Sequence, residues 1–207
     1  GLTSKTYSLT SLTKETEYQV RVQAVNGLNL SNWSSILSFT TKPDPVTVFP
    51  FEENFNGLAS GIPTHWDNSE GTVTTDSYKW NYNASGHDGA CVMFNSYNNQ
   101  SGIWNALKTP AMNLPAGKIM QLNFWYKFAS SKGGTLDVYI SKDGGATYTT
   151  SLATGLKDQS EWKEVLVTLP NEFQEQENVV IVFKGTSDYG SYNMFLDDVT
   201  MKEASAD

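Results

Sequence analysis

Several features that usually announce a function are scarce in this chain. Cys91 is the only cysteine among 207 residues, so an intrachain disulfide is impossible. That would be odd in a secreted eukaryotic module of this size, whereas bacterial surface proteins often do without disulfides, so the count constrains kingdom more than compartment. There are two histidines, His65 and His87. Neither sits in a G-x-S-x-G elbow or an H-E-x-x-H pair, so no nucleophile or zinc-hydrolase motif is written here. Basic residues number 14 against 22 acidic ones, a net charge of −8. That balance argues against nucleic acid and anionic membrane as partners, since both call for basic patches. No apolar run approaches the roughly 20 residues of a membrane helix, so membrane insertion is not expected.

Aromatics are abundant, at 13% of residues, and glycine occurs 16 times, while only 17% of residues are charged. Such a chain reads as all-β with many turns. Ile119–Phe128 alternates most cleanly, with Met120, Leu122, Phe124, Tyr126 and Phe128 on one face and Gln121, Asn123 and Lys127 on the other. Leu136, Val138 and Ile140 form another inward set, as do Val165, Val167 and Leu169. Val179–Phe183 is apolar on both faces, the pattern of a central strand. Ala90–Phe94, Asn105–Lys108 and Phe195–Met201 extend the series, and Gly, Asn, Asp and Ser fill the connections. Many short antiparallel strands of this kind predict a β-sandwich, specifically a jelly roll.

Upstream, Thr6–Leu9, Glu17–Asn26 and Ile36–Thr41 read as three strands. Leu12-x5-Tyr18, Val20-Arg-Val-Gln-Ala-Val-Asn26, Trp33 and Phe39-Thr-Thr41 together resemble the last strands of a fibronectin type III domain. That resemblance implies a tyrosine corner at Tyr18, its hydroxyl tied to the preceding turn. Half of such a sandwich exposes an apolar face, so Tyr18, Val20, Val22 and Trp33 are expected to be covered by the second domain or by another chain. The expected organisation is a partial fibronectin-like unit over 1–42, a proline-containing linker over 43–50, the jelly roll over 51–203 and a tail at 204–207.

Two acids stand out. In Phe51-Glu-Glu-Asn-Phe55, alternation points Glu53 with Phe51 and Phe55. In Phe195-Leu-Asp-Asp-Val-Thr-Met201, it points Asp197 with Phe195, Val199 and Met201, and Asp198 the other way. A carboxylate buried without a partner costs several kcal/mol, roughly, so each needs one. A shared hard cation is the expectation, with His87-Asp88-Gly89 offering Asp88 as a third acid.

The order of Glu53-Asn-Phe-Asn-Gly57, Ile62-Pro-x-x-Trp66, Leu107-x-Thr-Pro-Ala-Met-x-Leu114, Leu122-x-Phe-Trp125, Val138-Tyr-Ile-Ser141 and Phe195-Leu-Asp-Asp-Val199 resembles the cleaved adhesin, or choice-of-anchor J, group of bacterial surface modules, relatives of MAM domains. The resemblance implies a jelly roll with structural calcium, bound through Glu53 and Asp197 with Asp198 as a lesser candidate, in a secreted or cell-surface multidomain protein; Asp88, ahead of its strand, could add a further carboxylate. Ser141-Lys-Asp-Gly-Gly-Ala-Thr-Tyr148 matches an Asp-box, but it occurs once and reads as a hairpin turn.

Ligand-binding candidates are the aromatics of polar loops: Tyr97 and Trp104 in one, Tyr189 and Tyr192 in another. Rings flanked by Asn, Asp and Ser suit sugars, which stack their C–H faces and hydrogen-bond at the edges; they suit protein contacts too. The expected function is non-catalytic binding of a glycan or of a host or matrix protein. The alternatives are a spacer contacting neighbouring domains of its parent protein, and a glycan hydrolase with two carboxylates facing across a cleft, roughly 5–10 Å apart.

Overall fold

Residues 4, 6–130, 134–190 and 192–205 are described by a computed structural model. The chain divides into two units, 1–44 and 45–207, each described by itself.

The first unit holds β1 (Glu17–Val20), β2 (Val25–Asn26), β3 (Asn29–Leu30) and β4 (Leu37–Thr40). β1 pairs antiparallel with β4 and β2 with β3, giving two small ladders in place of the three strands expected. Thr6–Leu9 is not a strand, and Glu17–Asn26 breaks after Val20. The break coincides with serine hydroxyls taking over the ladder: the Val22 and Ala24 amides donate to Ser34 Oγ and Ser31 Oγ. The Tyr18 hydroxyl accepts the Thr13 amide at 2.7 Å, the tie expected of a tyrosine corner, and its ring stacks on Phe39. The apolar face is only partly covered. Tyr18 and Val20 are half-buried, while Val22 and Trp33 are 64% and 51% exposed in the chain by itself.

The second unit holds β5 (Phe51–Glu53), β6 (Asn81–Asn83), β7 (Cys91–Phe94), β8 (Trp104–Lys108), β9 (Met120–Phe128), β10 (Thr135–Ser141), β11 (Thr150–Leu156), β12 (Lys163–Thr168), β13 (Val180–Thr186) and β14 (Met194–Glu203). One sheet runs β11-β10-β13-β8; the other runs β12-β9-β14-β7-β6, with β5 pairing with β14 as well. All these pairings are antiparallel. The inner faces meet in one apolar core, where Phe124 of β9 lies edge-on to Phe183 of β13 at 5.3 Å. The whole alternating set of β9, Met120 to Phe128, is buried as its period-2 pattern requires. The fold is thus all-β, a two-sheet sandwich of the jelly-roll type.

Chain docking starts earlier than a linker over 43–50 implies. The Val46 amide donates to Ala111 O and Val46 O accepts from Asn113, and Val46 and Phe49 pack on the core. At the other sheet, Ser141–Tyr148 forms the expected turn. Asp143 accepts from Ser141 Oγ, Thr147 N–H and Thr147 Oγ1, and these hydrogen bonds hold its carboxyl well below the usual range.

Candidate binding and metal sites

The two sheet partners on one side of β14 meet end to end. Met194–Leu196 pairs with β7 and Val199–Met201 with β5, so Asp197 and Asp198 fall where one partner stops and the other begins. On the opposite side the register with β9 slips between Asp197 and Thr200. Asp198 takes a positive φ of 47°, the mark of an inserted bulge residue. The insertion reverses the alternation. Asp197 sits opposite Trp125, and Phe195 opposite Lys127, on the outer face, whereas Val199 and Met201 are buried in the core. Asp197 therefore does not share a face with Val199 and Met201, as unbroken alternation predicted.

Asp197 is nevertheless fully buried, because loop 84–90 folds over it. Its Oδ2 accepts the His87 amide at 2.7 Å and its Oδ1 the Asp198 amide at 2.8 Å. The loop fits closely: a Cβ on Gly86 would stand 2.5 Å from Asp197 Oδ2, and one on Gly89 would stand 2.1 Å from Asn56 Oδ1. Burial pushes the Asp197 carboxyl up to about 6, against the lowering effect of the backbone N–H groups of His87, Asp198 and Asp88. Burial, with the Asp197 charge beside it, also pushes the Cys91 thiol up to about 12.

Glu53 lies opposite Val199, and its Oε1 accepts the Phe55 amide at 2.7 Å. Burial raises its pKa as well. Asp88 turns its amide toward Asp197, but the residue itself is exposed. Among the described residues, no group of three or more His, Cys, Asp or Glu side chains is gathered to hold a metal. A hard cation at Asp197 would need oxygens from amide side chains and backbone carbonyls. Asn56 lies against this loop, its Oδ1 accepting the Ala90 amide at 2.6 Å, and oxygen-only ligation of that kind fits calcium.

The loop aromatics divide. Tyr97 and Tyr189 are 56% and 70% exposed, and Tyr192 is exposed too. Their two loops are stitched together: the Tyr189 amide donates to Ser101 Oγ, Ser101 Oγ to Asp188, the Gly102 amide to Ser187 O, and the Tyr97 amide to Asn193 Oδ1. Ser187, buried, donates its hydroxyl to Ser96 O and Asn99 O beneath. Three tyrosines thus project from one braced loop cluster. Trp104 is not among them. It opens β8, half-buried, with the Lys184 ammonium 4.5 Å over its ring.

A second aromatic group, not singled out from the sequence, lies on the outer face of the six-stranded sheet. His87 stacks on Trp125 at 3.9 Å and 15°, and Trp162 approaches His87 and Phe195 edge-on at 5.8 and 6.4 Å. Lys127 reaches over the rings of Trp162 and Phe195, at 4.9 and 5.4 Å. The sequence signal was present in β9, where Trp125 and Lys127 alternate with the core residues, but His87 and Trp162 come from separate loops that only the fold brings together.

The family profile of the MAM domain (meprin/A5/mu) matches residues 50–205. The K1 cleaved adhesin domain of Lys-gingipain from Porphyromonas gingivalis W83 superposes with a TM-score of 0.58 at 22% identity, over 76% of this chain and all of that one. The K3 domain of the same protein gives 0.56 at 21%, over 73% and 96%. The CBM22-1 xylan-binding domain of Paenibacillus barcinonensis Xyn10C gives 0.52 at 12%, over 80% and 100%. A comparison with curated proteins finds no match. At these identities the structural likeness speaks for the fold.

Proposed function

Because the chain belongs to the MAM domain family through residues 50–205, we propose that it serves as a non-catalytic recognition module, for a glycan first and a protein second, in a secreted or cell-surface bacterial protein. The observation that carries this reading is the braced cluster of exposed tyrosines, Tyr97, Tyr189 and Tyr192. Rigid, amphipathic rings held by hydrogen-bonded loops bind at low entropic cost. Amides and hydroxyls stand beside them for sugar hydroxyls. The fold shared with adhesin domains and with a xylan-binding domain supports the same reading. A glycan-array screen of the chain, with a Tyr97→Ala/Tyr189→Ala variant and a Trp104→Ala variant alongside, tests it. Binding should be lost in the tyrosine variant and kept in Trp104→Ala, because Trp104 opens β8, half-buried, outside the exposed tyrosine cluster. Failure to bind across a broad array would move the assignment to a spacer.

Calcium belongs to the proposal as a structural ion at Asp197, with Glu53 and Asp88 as further candidate ligands. Its support is a fully buried carboxylate whose hydrogen-bond partners are backbone N–H groups and which no Lys or Arg pairs among the described residues. When bound, the ion would supply charge neutralisation at the junction of β5, β7 and β14. Melting the chain with calcium and then with excess EDTA checks it, and an unchanged melting temperature counts against it.

The first unit carries its own reading, a fibronectin type III fragment. The Tyr18–Thr13 tie supports it, and the exposed Val22, Leu30, Trp33 and Leu37 favour contact with a neighbouring domain of the parent protein.

A further inference from the structure

A cavity of about 370 Å³ opens on the outer face of the six-stranded sheet, lined by Asn83, Ser85, Lys127, Ala129, Ser160 and Phe195. It falls within the range of roughly 300–1,000 Å³ that small-ligand sites occupy. Its walls are of two kinds. Asn83, Ser85 and Ser160 offer amide and hydroxyl groups, and Phe195, with Trp162 edge-on beside it at 6.4 Å, offers ring surface. Between them stands the Lys127 ammonium, over both rings.

That ammonium is half-buried and sits against two rings. The protein carries a net charge of −8, and Lys79, Lys108 and Lys118 each hold a carboxylate. Among the described residues none pairs with Lys127, although it is half-buried. Ring faces attract a cation but leave its donors unspent. A charge-assisted hydrogen bond to an anion would use them. The surrounding backbone is held in place: the Phe128 amide donates to Gln159 O at 2.7 Å, and the Ala129 amide to Asn193 O at 2.8 Å.

We propose that this cavity is a subsite for an acidic sugar residue, its carboxylate or sulfate on Lys127, its ring against Trp162 and Phe195, and its hydroxyls on Asn83, Ser85 and Ser160. The inference rests on the glycan-binding reading above and deepens it. The site lies on the sheet face and not in the tyrosine loops, so the two can be separated.

Three oligosaccharide probes, titrated calorimetrically into the full chain, test it: an oligogalacturonate for the carboxylate, a sulfated galactan oligomer free of uronic acid for the sulfate, and a neutral galacto-oligosaccharide. At least one acidic probe should bind about 10- to 100-fold tighter than the neutral one, the worth of a charge-assisted hydrogen bond. Which acidic probe gains identifies the anionic group. Lys127→Gln should remove that preference, Lys127→Arg should restore it, and Trp162→Ala should weaken binding of all three. Equal binding of acidic and neutral probes, or a preference that survives Lys127→Gln, overturns the acidic subsite and leaves glycan recognition standing. Binding that responds only to Tyr97→Ala/Tyr189→Ala does the same. No binding of any probe overturns the subsite, and if the array is blank too, the glycan reading goes with it.

Discussion

The imidazole of His87 lies flat on the indole of Trp125, ring centres 3.9 Å apart and planes 15° from parallel. The same histidine is held at two other points. Its amide donates to Asp197, and its Nδ1 is 2.9 Å from Asp198 Oδ2. One residue thus fastens loop 84–90 to a sheet face and to both acids of the β14 bulge. Trp125→Ala should remove the platform without touching the core, because Trp125 faces outward. A loss of about 1–3 kcal/mol is expected from the stacking and buried ring area together. In hydrogen exchange, the His87 amide should lose protection before the amides of β9 do. Uniform loss along β9 would show that the indole supports the sheet and not the loop.

Asp197 makes stability depend on pH in a direction that reports on the cation. Without metal its carboxyl titrates near 6 in the folded chain, above the unfolded value of about 4. The folded state then holds more protons between those values, and its stability falls as pH rises from about 4 to about 6. In calcium the bound ion favours the carboxylate, the folded value drops below the unfolded one, and stability rises over the acid range. Denaturant titrations from pH 4 to 7, in EDTA and in calcium, should give slopes of opposite sign for this contribution. Superimposable curves would remove Asp197 from the metal site.

Much of the sandwich was legible because period-2 alternation is a one-dimensional signal. The inward sets of β9 and β10 are buried as read, and β13, apolar on both faces, pairs with β10 on one side and β8 on the other. The candidate metal site was legible only in part. Alternation presumes an uninterrupted ladder, and Asp198 interrupts it: a single residue at φ 47° moves Asp197 from the core face to the outer one. No residue type in Leu196-Asp-Asp-Val199 encodes the bulge. It arises where β7 ends and β5 begins, a relationship spanning the whole second unit. The stacked His87 and Trp125 were hidden for the same reason, being 38 positions apart in the chain. The strand expected at Thr6–Leu9 failed differently. Its pattern is short, and β1 and β4 already pair with one another.

Cys91 offers a simple check on the loop cover. The thiol is fully buried, pushed up to about 12, and donates to Ser85 O at 3.5 Å. Since the thiolate is the reactive species, it should resist Ellman's reagent at pH 8 in the folded chain and react at once in denaturant. Gly86→Ala, whose Cβ would press on both Asp197 and Ala90, should lift the loop and make Cys91 reactive under native conditions. A thiol that already reacts in the unaltered chain would mean that the loop does not close over it.

The account rests on the module being a binder and not only a spacer. The most direct test is calorimetric titration of the strongest array ligand into the full chain and into the Tyr97→Ala/Tyr189→Ala variant. Both rings are exposed, so the variant should melt within about 0.5 kcal/mol of the original. Recognition at the tyrosine cluster predicts that affinity nevertheless falls at least about tenfold, or 1.4 kcal/mol. Equal affinity in the two proteins would contradict it.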